Sequence, residues 1–247
     1  MEAGPSSTVD PQEVARFERM AGTWWDPHGP MRVLHRFNPI RLGVIRDEAC
    51  RRFGRDPRAA RSLDGLAILD VGCGGGVLCE PLARLGARVT GLDPAAANIA
   101  VARLHAEQGG VPVDYRTETV ESVASRGERF DIVLAMEVVE HVADVRAFVA
   151  ACAGAVKPGG VLVMATLNRT LRSFALAIVG AEYVLGWLPR GTHDWDRFVT
   201  PEELSEAVRL AGLGVFDLQG VSFHPLRDAW SLSRDVSVNY MLMAGRD

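Results

Sequence analysis

A glycine-rich turn between two apolar runs constrains the fold of this chain more than any other feature. Residues 68–76 read I-L-D-V-G-C-G-G-G, and a second apolar run, residues 89–92, ends in Asp93. The first run has the side chains of a buried strand, and its glycines let backbone N–H groups approach a ligand closely. An acidic residue at the end of the next parallel strand can accept hydrogen bonds from ribose hydroxyls. The turn therefore predicts a nucleotide-binding α/β domain.

The spacing of the glycines separates two kinds of nucleotide site. A dinucleotide fingerprint, G-x-G-x-x-G, would require a third glycine at position 77, which is Val77. The run instead fits D-x-G-x-G-x-G through Asp70, Gly72, Gly74 and Gly76. This pattern resembles the first motif of class I S-adenosylmethionine (SAM) methyltransferases. It predicts that Asp70, Gly72 and Gly74 help to bind that cofactor and disfavours an NAD(P) oxidoreductase.

Bulk composition limits the other classes of protein. The chain has 247 residues, of which 48% are hydrophobic, so it can bury the core of one α/β domain with appendages. Its net charge of −4 gives no basic field for nucleic acid, and we expect no nucleic-acid partner. None of its four cysteines has C-x-x-C spacing, and the first residues do not resemble a signal peptide. We therefore expect a cytoplasmic protein with reduced thiols.

Strand and helix patterns alternate from residue 66 onward. Strands are predicted near 67–71, 88–92, 112–115, 130–135 and 160–165, and helices near 77–86, 95–108 and 144–156. Such alternation indicates βαβ units and a mostly parallel sheet with helices on both faces. A last helix near 201–211 precedes two strands, near 214–222 and 236–243, that suit an antiparallel hairpin. The predicted fold is a Rossmann-like, seven-stranded α/β sheet.

We divide the chain into three regions. Residues 1–12, rich in small and polar residues, are predicted to be a disordered tail. Residues 13–62 are predicted to form a helical lid region. Residues 63–247 form the nucleotide-binding domain, with an apolar insertion at about 168–198.

Two helices are predicted before the first strand. Phe17, Met20 and Trp24 recur at helical spacing, so this stripe either covers a ligand or packs on the core. The second helix is predicted over residues 40–53, with Asn38 as its cap.

Residues 171–188 are apolar nearly all round, so their partner is something other than water. Arg172 and Arg190 lie at the two ends, and Glu182 interrupts the run. Three interpretations stay open: a buried insertion that covers the active site, an interfacial element in contact with lipid, and a transmembrane helix. The last is disfavoured because the run is shorter than the roughly 20 residues that a span requires.

A cluster of polar residues follows the fourth strand. Met136 is expected at the strand's carboxyl end, against the ligand, and the sequence continues through Glu137, Glu140 and His141. These last three could hold a divalent cation such as Mg²⁺, or could simply form a solvated helix start. His141 and His193 are the candidate bases for removing a proton from a phenolic acceptor.

Many stretches match one known family closely. The chain resembles the bacterial ubiquinone-biosynthesis O-methyltransferases over residues 34–42, 69–76, 90–93, 118–121, 136–142, 156–160, 166–169, 179–183, 191–194 and 238–242. The resemblance covers nearly the whole chain from residue 15, and residues 55–61 depart from it as a loop insertion.

This resemblance implies a fold, a reaction and roles for particular residues. It implies a class I methyltransferase fold with SAM as methyl donor. Arg41 would reach the methionyl carboxylate, Gly72 the cofactor backbone, Asp93 the ribose and Met136 the adenosine, with Thr119 and Val120 bordering the adenine. It also implies that Glu137, Glu140 and His141 are metal ligands.

The implied acceptors are polyprenylated phenols, namely 2-polyprenyl-6-hydroxyphenol and 3-demethylubiquinol. Their long tails would suit a membrane-surface contact through residues 171–188, on the inner face of the cytoplasmic membrane, and contacts with other quinone-biosynthesis enzymes. Two alternatives stay open: methylation of another small phenol or lipid, and a SAM- or lipid-binding module without catalysis. A comparison of acceptors would distinguish the first alternative from methylation of prenylated phenols. A test for turnover would distinguish the second alternative from an enzyme.

Overall fold

A mixed sheet forms the centre of the molecule in the computed structural model, which describes residues 8–174, 195–224 and 229–246. Its strands are β1 (Ala67–Val71), β2 (Arg88–Leu92), β3 (Asp114–Arg116), β4 (Phe130–Met136), β5 (Val156–Leu167), β6 (Gly214–His224), β7 (Ala229–Ser233) and β8 (Asn239–Gly245). They lie in the order β3-β2-β1-β4-β5-β8-β6-β7. The first five strands pair in parallel, whereas β6, β7 and β8 pair antiparallel.

The mostly parallel α/β fold is therefore confirmed, with one strand more than predicted. The additional strand, β7, lies in sequence between the two predicted C-terminal strands, β6 and β8. It pairs with β6 and forms the edge of the sheet. Apolar and polar residues alternate in β7 only over the four residues from Trp230 to Ser233, which is a weak strand pattern.

Helices cover both faces of the sheet, as predicted. They are α1 (Pro11–Met20), α2 (Arg32–Phe53), α3 (Cys79–Arg84), α4 (Ala96–Gln108), α5 (Val120–Ser125), α6 (Val145–Gly154), the single turn α7 (Leu171–Ser173) and α8 (Pro201–Leu210). Ile68 and Ile132 point to the face of α2, α3 and α4, whereas Leu69 and Val133 point to the face of α5, α6 and α8. The alternation along each strand therefore fills two cores.

The strand order places a ligand crevice at the carboxyl ends of β1 and β4. β1 pairs with β2 on one side and with β4 on the other, so the direction of winding reverses there. In open α/β sheets ligands bind at this switch point. The glycine turn after β1, Asp93 after β2 and Met136 at the end of β4 all lie at this edge.

The N-terminal region differs from the prediction at two points. α2 begins at Arg32, so Asn38 is not a helix cap; its side-chain amide donates to the Val77 carbonyl at 2.8 Å. Residues 8–12, assigned to a disordered tail, have a defined conformation. Asp10 caps α1, and the Thr8 carbonyl accepts the Ala143 N–H at 2.8 Å.

The predicted apolar insertion lies mostly outside the described residues, as does His193. Of residues 171–188 only the first four are described, and there Leu171 and Phe174 are exposed. Among the helices of the described ranges, none has the length and apolar character needed to cross a membrane.

Candidate active site

The glycine turn has a backbone conformation that other residues would strain. Gly72 has φ +71°, and a Cβ there would lie 2.5 Å from Cγ2 of Val138. Gly74 has φ +53°, and a Cβ there would lie 2.3 Å from the Trp24 ring. The N–H groups of Gly72 and Cys73 both donate to the Leu92 carbonyl, at 2.8 and 2.9 Å, which fixes the turn against the end of β2. Both glycines are therefore required by close contacts as well as by φ.

Asp93 is the acceptor that organises this edge of the sheet. It is buried, and its Oδ2 accepts the Gly74 N–H at 3.0 Å. Its Oδ1 accepts the Ala95 N–H at 2.8 Å and the Asn98 amide at 3.2 Å. Burial raises the pKa of Asp93, whereas the hydrogen bonds from Ala95 and Gly74 oppose that rise. The carboxylate thus ties the turn after β1 to the loop after β2.

Two tryptophans from the N-terminal region lie on the glycine turn. The Trp24 indole N–H donates to Asn98 Oδ1 at 2.8 Å, so a chain of hydrogen bonds runs from Trp24 through Asn98 to Asp93. The Trp25 indole N–H donates to the Gly75 carbonyl at 2.8 Å. Asn98 was not among the predicted site residues. Its signal was an amide on the first turn of the helix that follows Asp93.

Arg41 lies beneath the crevice and pairs with Glu137. The two side chains are 2.6 Å apart at Nη2 and Oε1, and Arg41 is only 5% exposed. Its guanidinium carbon lies 4.3 Å from the centre of the Phe37 ring. Arg41 Nε is buried and has no hydrogen-bond partner among the described residues. One N–H donor of the guanidinium group is therefore left for a ligand.

Asp70 is a second buried carboxyl group in the crevice. Burial raises its pKa to about 6, and the Cys79 thiol donates to its Oδ2 at 3.1 Å.

Glu137, at the end of β4, has φ +57°, a value that costs about 1–3 kcal/mol for a residue with a side chain. Such strain is typical of residues placed for function.

Glu140 and His141 have different partners although they are adjacent. Glu140 Oε2 accepts the Thr166 hydroxyl at 2.7 Å, whereas its buried Oε1 has no partner among the described residues. Burial, followed by the charge of Glu137, raises the pKa of Glu140 to about 7. His141 Nδ1 lies 2.9 Å from Oε2 of Glu13 on α1.

The Glu13 contact sets the protonation of His141. Burial alone would lower the pKa of His141, but the hydrogen bond to Glu13 and the charge of Glu140 outweigh it and raise that pKa. The same pairing lowers the pKa of Glu13. Sequence reasoning did not identify Glu13, because no local pattern joins the first helix to residue 141.

The three predicted metal ligands do not form a metal site in this conformation. Across the described residues, no group of three or more His, Cys, Asp or Glu side chains could hold a metal ion. Glu137 is paired with Arg41, and His141 is paired with Glu13 through Nδ1. Glu140 Oε1 is buried and has no hydrogen-bond partner among the described residues. The arrangement therefore does not fit a bound cation as it stands.

A cavity of about 820 Å³ joins these groups. Every predicted site residue among the described ranges lines it: Arg41, Asp70, Gly72, Gly74, Asp93, Thr119, Val120, Met136, Glu137, Glu140 and His141. Its volume lies near the upper end of the range for small-molecule sites, which is roughly 300–1,000 Å³. Most of its remaining lining is apolar. The cavity can therefore hold a nucleotide and an apolar second ligand side by side.

Known proteins resemble this chain along its whole length. A methyltransferase domain family matches residues 69–164. A "Ubiquinone biosynthesis O-methyltransferase" of Methylobacterium sp. (strain 4-46) is 66% identical over 100% of this chain and 99% of its own. The protein of the same name from Bradyrhizobium sp. (strain ORS 278) is 58% identical over 97% of this chain and 94% of its own. The chain belongs to the ubiquinone biosynthesis O-methyltransferase family.

Solved structures agree at the level of the fold. Magnesium protoporphyrin IX methyltransferase from Synechocystis PCC 6803 with bound SAM has a TM-score of 0.63 at 17% identity, covering 98% of this chain and 100% of its own. A plantazolicin methyltransferase with bound S-adenosylhomocysteine (SAH) has a TM-score of 0.67 at 15% identity, covering 96% and 98%. The chain is thus a SAM-dependent O-methyltransferase with the class I fold.

Proposed function

We propose that this enzyme methylates phenolic hydroxyls of polyprenylated intermediates in ubiquinone biosynthesis, namely 2-polyprenyl-6-hydroxyphenol and 3-demethylubiquinol. The supporting observation is the 66% identity to a relative of that pathway over the full length of both chains. The cavity supports it further, because it continues from the glycine turn into a largely apolar chamber.

The proposed SAM contacts follow the polar groups at the edge of the sheet. The unpartnered Arg41 Nε would donate to the methionyl carboxylate, in addition to the Glu137 contact that Arg41 already makes. Asp93 would accept the ribose hydroxyls. The remaining contacts would come from Asp70, Gly72 and Gly74 beneath the cofactor, and from Met136, Thr119 and Val120 around the adenine.

The proposed reaction moves a methyl group from the SAM sulfur to a phenolic oxygen. The C–S bond breaks as the C–O bond forms, SAH leaves, and the phenolic proton passes to a base. A phenol with a pKa near 10 is only about one part in a thousand ionised at pH 7, so deprotonation represents about 4 kcal/mol of the barrier. Alignment of the two reactants and the exclusion of water lower the remaining part of the barrier.

We propose His141 as the base that takes this proton. Its Nδ1 is held by Glu13, so Nε2 is the nitrogen left for the acceptor. His193, the second candidate, lies outside the described residues. Replacing each histidine by glutamine and comparing turnover would separate the two. The variant that lacks the true base should have a rate lower by about 10²–10⁴-fold.

Magnesium binding by Glu137, Glu140 and His141 remains a proposal supported by one feature, the unpartnered Glu140 Oε1. A cation would require Glu137 to leave Arg41 and His141 to leave Glu13. Calorimetric titration of MgCl₂ into the enzyme, and into a Glu140→Gln variant, tests it. Heat of binding that is lost in the variant supports a site, and no heat in the wild type refutes it.

Acceptor choice tests the proposed function. The enzyme is incubated with labelled SAM and either a short-tailed demethylubiquinol or a soluble catechol, with and without magnesium. We expect the prenylated acceptor to have the higher kcat/KM. A soluble catechol that is methylated far better than any prenylated acceptor would overturn the assignment, and no transfer to any acceptor would favour a binding module.

Acceptors with long tails partition into lipid, so we further propose that this enzyme is cytoplasmic and works at the inner face of the cytoplasmic membrane. Residues 171–188 are the proposed contact, and only Leu171 and its first neighbours are described there. Other enzymes of the same pathway are proposed partners, since they would share these membrane-bound intermediates.

A further inference from the structure

The cavity has an apolar wall that no cofactor contact explains. Phe37 on α2, Phe223 on β6 and Trp230 on β7 all line it. The Trp230 ring centre lies 5.5 Å from that of Phe37 and 5.1 Å from that of Phe223. We call these three rings the aromatic wall. Their spacing is that of packed aromatic pairs.

The β6–β7 pair places two of these rings on one face. Phe223 is paired with Trp230, and Val221 with Leu232, across the two strands. Residues directly opposite each other in an antiparallel pair project to the same side, so all four apolar side chains share a face. The alternate positions, such as Ser222 opposite Ser231, carry polar side chains. The added edge strand therefore presents an apolar face towards α2.

The aromatic wall is continuous with the reacting centre. Leu34, Phe37 and Arg41 lie at helical spacing on α2, and all three line the cavity. Arg41 marks the cofactor end because it pairs with Glu137. At 1.5 Å per residue, the face from Leu34 to Arg41 is about 10 Å long. A ligand held at the cofactor end would thus have an apolar groove leading away from it.

The wall is only partly covered by the described protein. Phe37 is buried, but Phe223 and Trp230 are each half-buried although both are large and apolar. Apolar surface inside a cavity gains free energy when an apolar ligand covers it. Phe37 adjoins the cofactor end, because its ring lies 4.3 Å from the Arg41 guanidinium, and Trp230 and Phe223 follow it in sequence of contact. A tail attached to the phenolic ring of the proposed acceptor could therefore extend along the wall.

We propose that the aromatic wall binds the first isoprene units of the acceptor's tail and so selects prenylated acceptors. This inference rests on the proposed function, since it assigns part of the same cavity to the tail. The rings are suited to it because an isoprenoid chain carries no polar group that a hydrogen-bonding site could recognise. The chemical class of ligand is a linear, unsaturated hydrocarbon joined to a hydroxybenzene ring.

Tail length is the variable that tests the proposal. Full-length enzyme is assayed with labelled SAM and reduced demethylubiquinol analogues that carry zero, one, two or three isoprene units. For the wild type, kcat/KM should rise with the first units and then level off once the wall is covered. In Trp230→Ala and Phe223→Ala, the ratio of kcat/KM for the one-unit acceptor over the tail-less one should fall by about tenfold or more.

Two further variants provide the controls. Leu232 lies on the same strand and face as Trp230, but it does not line the cavity and is 49% exposed. Leu232→Ala should keep the wild-type ratio. Trp230→Phe, which preserves a ring and is the mildest change to the fold, should lose less of the ratio than Trp230→Ala. SAH affinity, measured by calorimetry, should match the wild type in every variant.

The outcomes separate this proposal from the proposed function. Variants that keep the full preference for tails overturn the aromatic wall and leave the acceptor class intact. Equal losses for tailed and tail-less acceptors also overturn it, because they indicate a structural role for the rings. A wild type with no preference for tails overturns the acceptor class itself.

Discussion

At the scale of single residues, Asp93 holds three protein donors and is the group expected to hold the ribose. Asp93→Ala should weaken SAM binding by about 1.5–3 kcal/mol, because it removes charge-assisted hydrogen bonds from a buried site. That loss corresponds to roughly a tenfold to hundredfold higher Kd, which calorimetry can measure. Asp114→Ala removes the same charge from an exposed position on β3 and should leave the affinity unchanged. An unchanged Kd in Asp93→Ala would refute the ribose contact.

The contact between Glu13 and His141 makes a prediction about pH. The raised pKa of His141 means that the imidazole is protonated, and useless as a base, up to a higher pH than an ordinary histidine. Arg16 acts in the opposite direction, and Glu140 supports Glu13. Glu13→Gln should lower this pKa, so the acid limb of log(kcat/KM) should move to lower pH and the plateau should fall as the base weakens.

A neighbouring glutamate gives the control for this pH profile. Glu18 lies on the same helix as Glu13 but is exposed, so Glu18→Gln should leave the limb where it is in the wild type. If the limb in Glu13→Gln coincides with that of the wild type, the titrating group is not His141.

At the scale of elements, α1 closes one side of the cavity and packs there through the partly buried Phe17 and Met20. None of its residues is fully buried, and its polar contacts lie at the N-terminal end, between Asp10 and Arg197 at 2.9 Å and between Glu13 and His141. An element with so little buried surface opens at low free-energy cost. Its amides should therefore exchange hydrogen faster than those of α4, whose inner face is buried, and should slow when SAH is bound.

Hydrogen exchange resolved by peptide can check this expectation, with α4 as the internal reference. If α1 is as protected as α4 in the ligand-free enzyme, the helix is a fixed part of the wall. If its exchange does not respond to ligand, it does not gate the cofactor.

Some elements of the fold could be predicted from the sequence and others could not. The turn after β1 and the acid after β2 were predictable because each is encoded by adjacent residues. Pro39 suggested a helix start because proline suits the first turn, but the apolar residues before it extend α2 back to Arg32. β7 was missed because it is short and its register is decided by pairing with β6. The contact between Trp24 and Asn98 could not be predicted from local sequence patterns, because it joins residues 74 positions apart.

At the scale of the whole molecule, an apolar acceptor must reach a cavity in a protein of net charge −4. With this net charge, the proposed contact with a membrane would have to come from a local patch and not from the surface as a whole. Leu171 is 82% exposed beside Arg172, which lines the cavity and pairs with Asp235 at 2.5 Å, so exposed apolar surface lies at the cavity rim next to an ion pair. An exposed leucine at such a rim is the feature that the proposed interfacial contact would use.

Leu171→Ser should accordingly weaken binding to vesicles that contain anionic lipid. Burying a leucine side chain is worth about 1.5–3 kcal/mol, so the association constant should fall roughly tenfold to hundredfold in a sedimentation assay. Leu210, on α8, is 69% exposed and serves as the matched control, because Leu210→Ser removes a similar surface far along the chain from Arg172. Equal binding by both variants would refute a contact through Leu171. Loss in Leu171→Ser alone would place the rim of the cavity at the lipid surface, where a prenylated phenol could enter without crossing water.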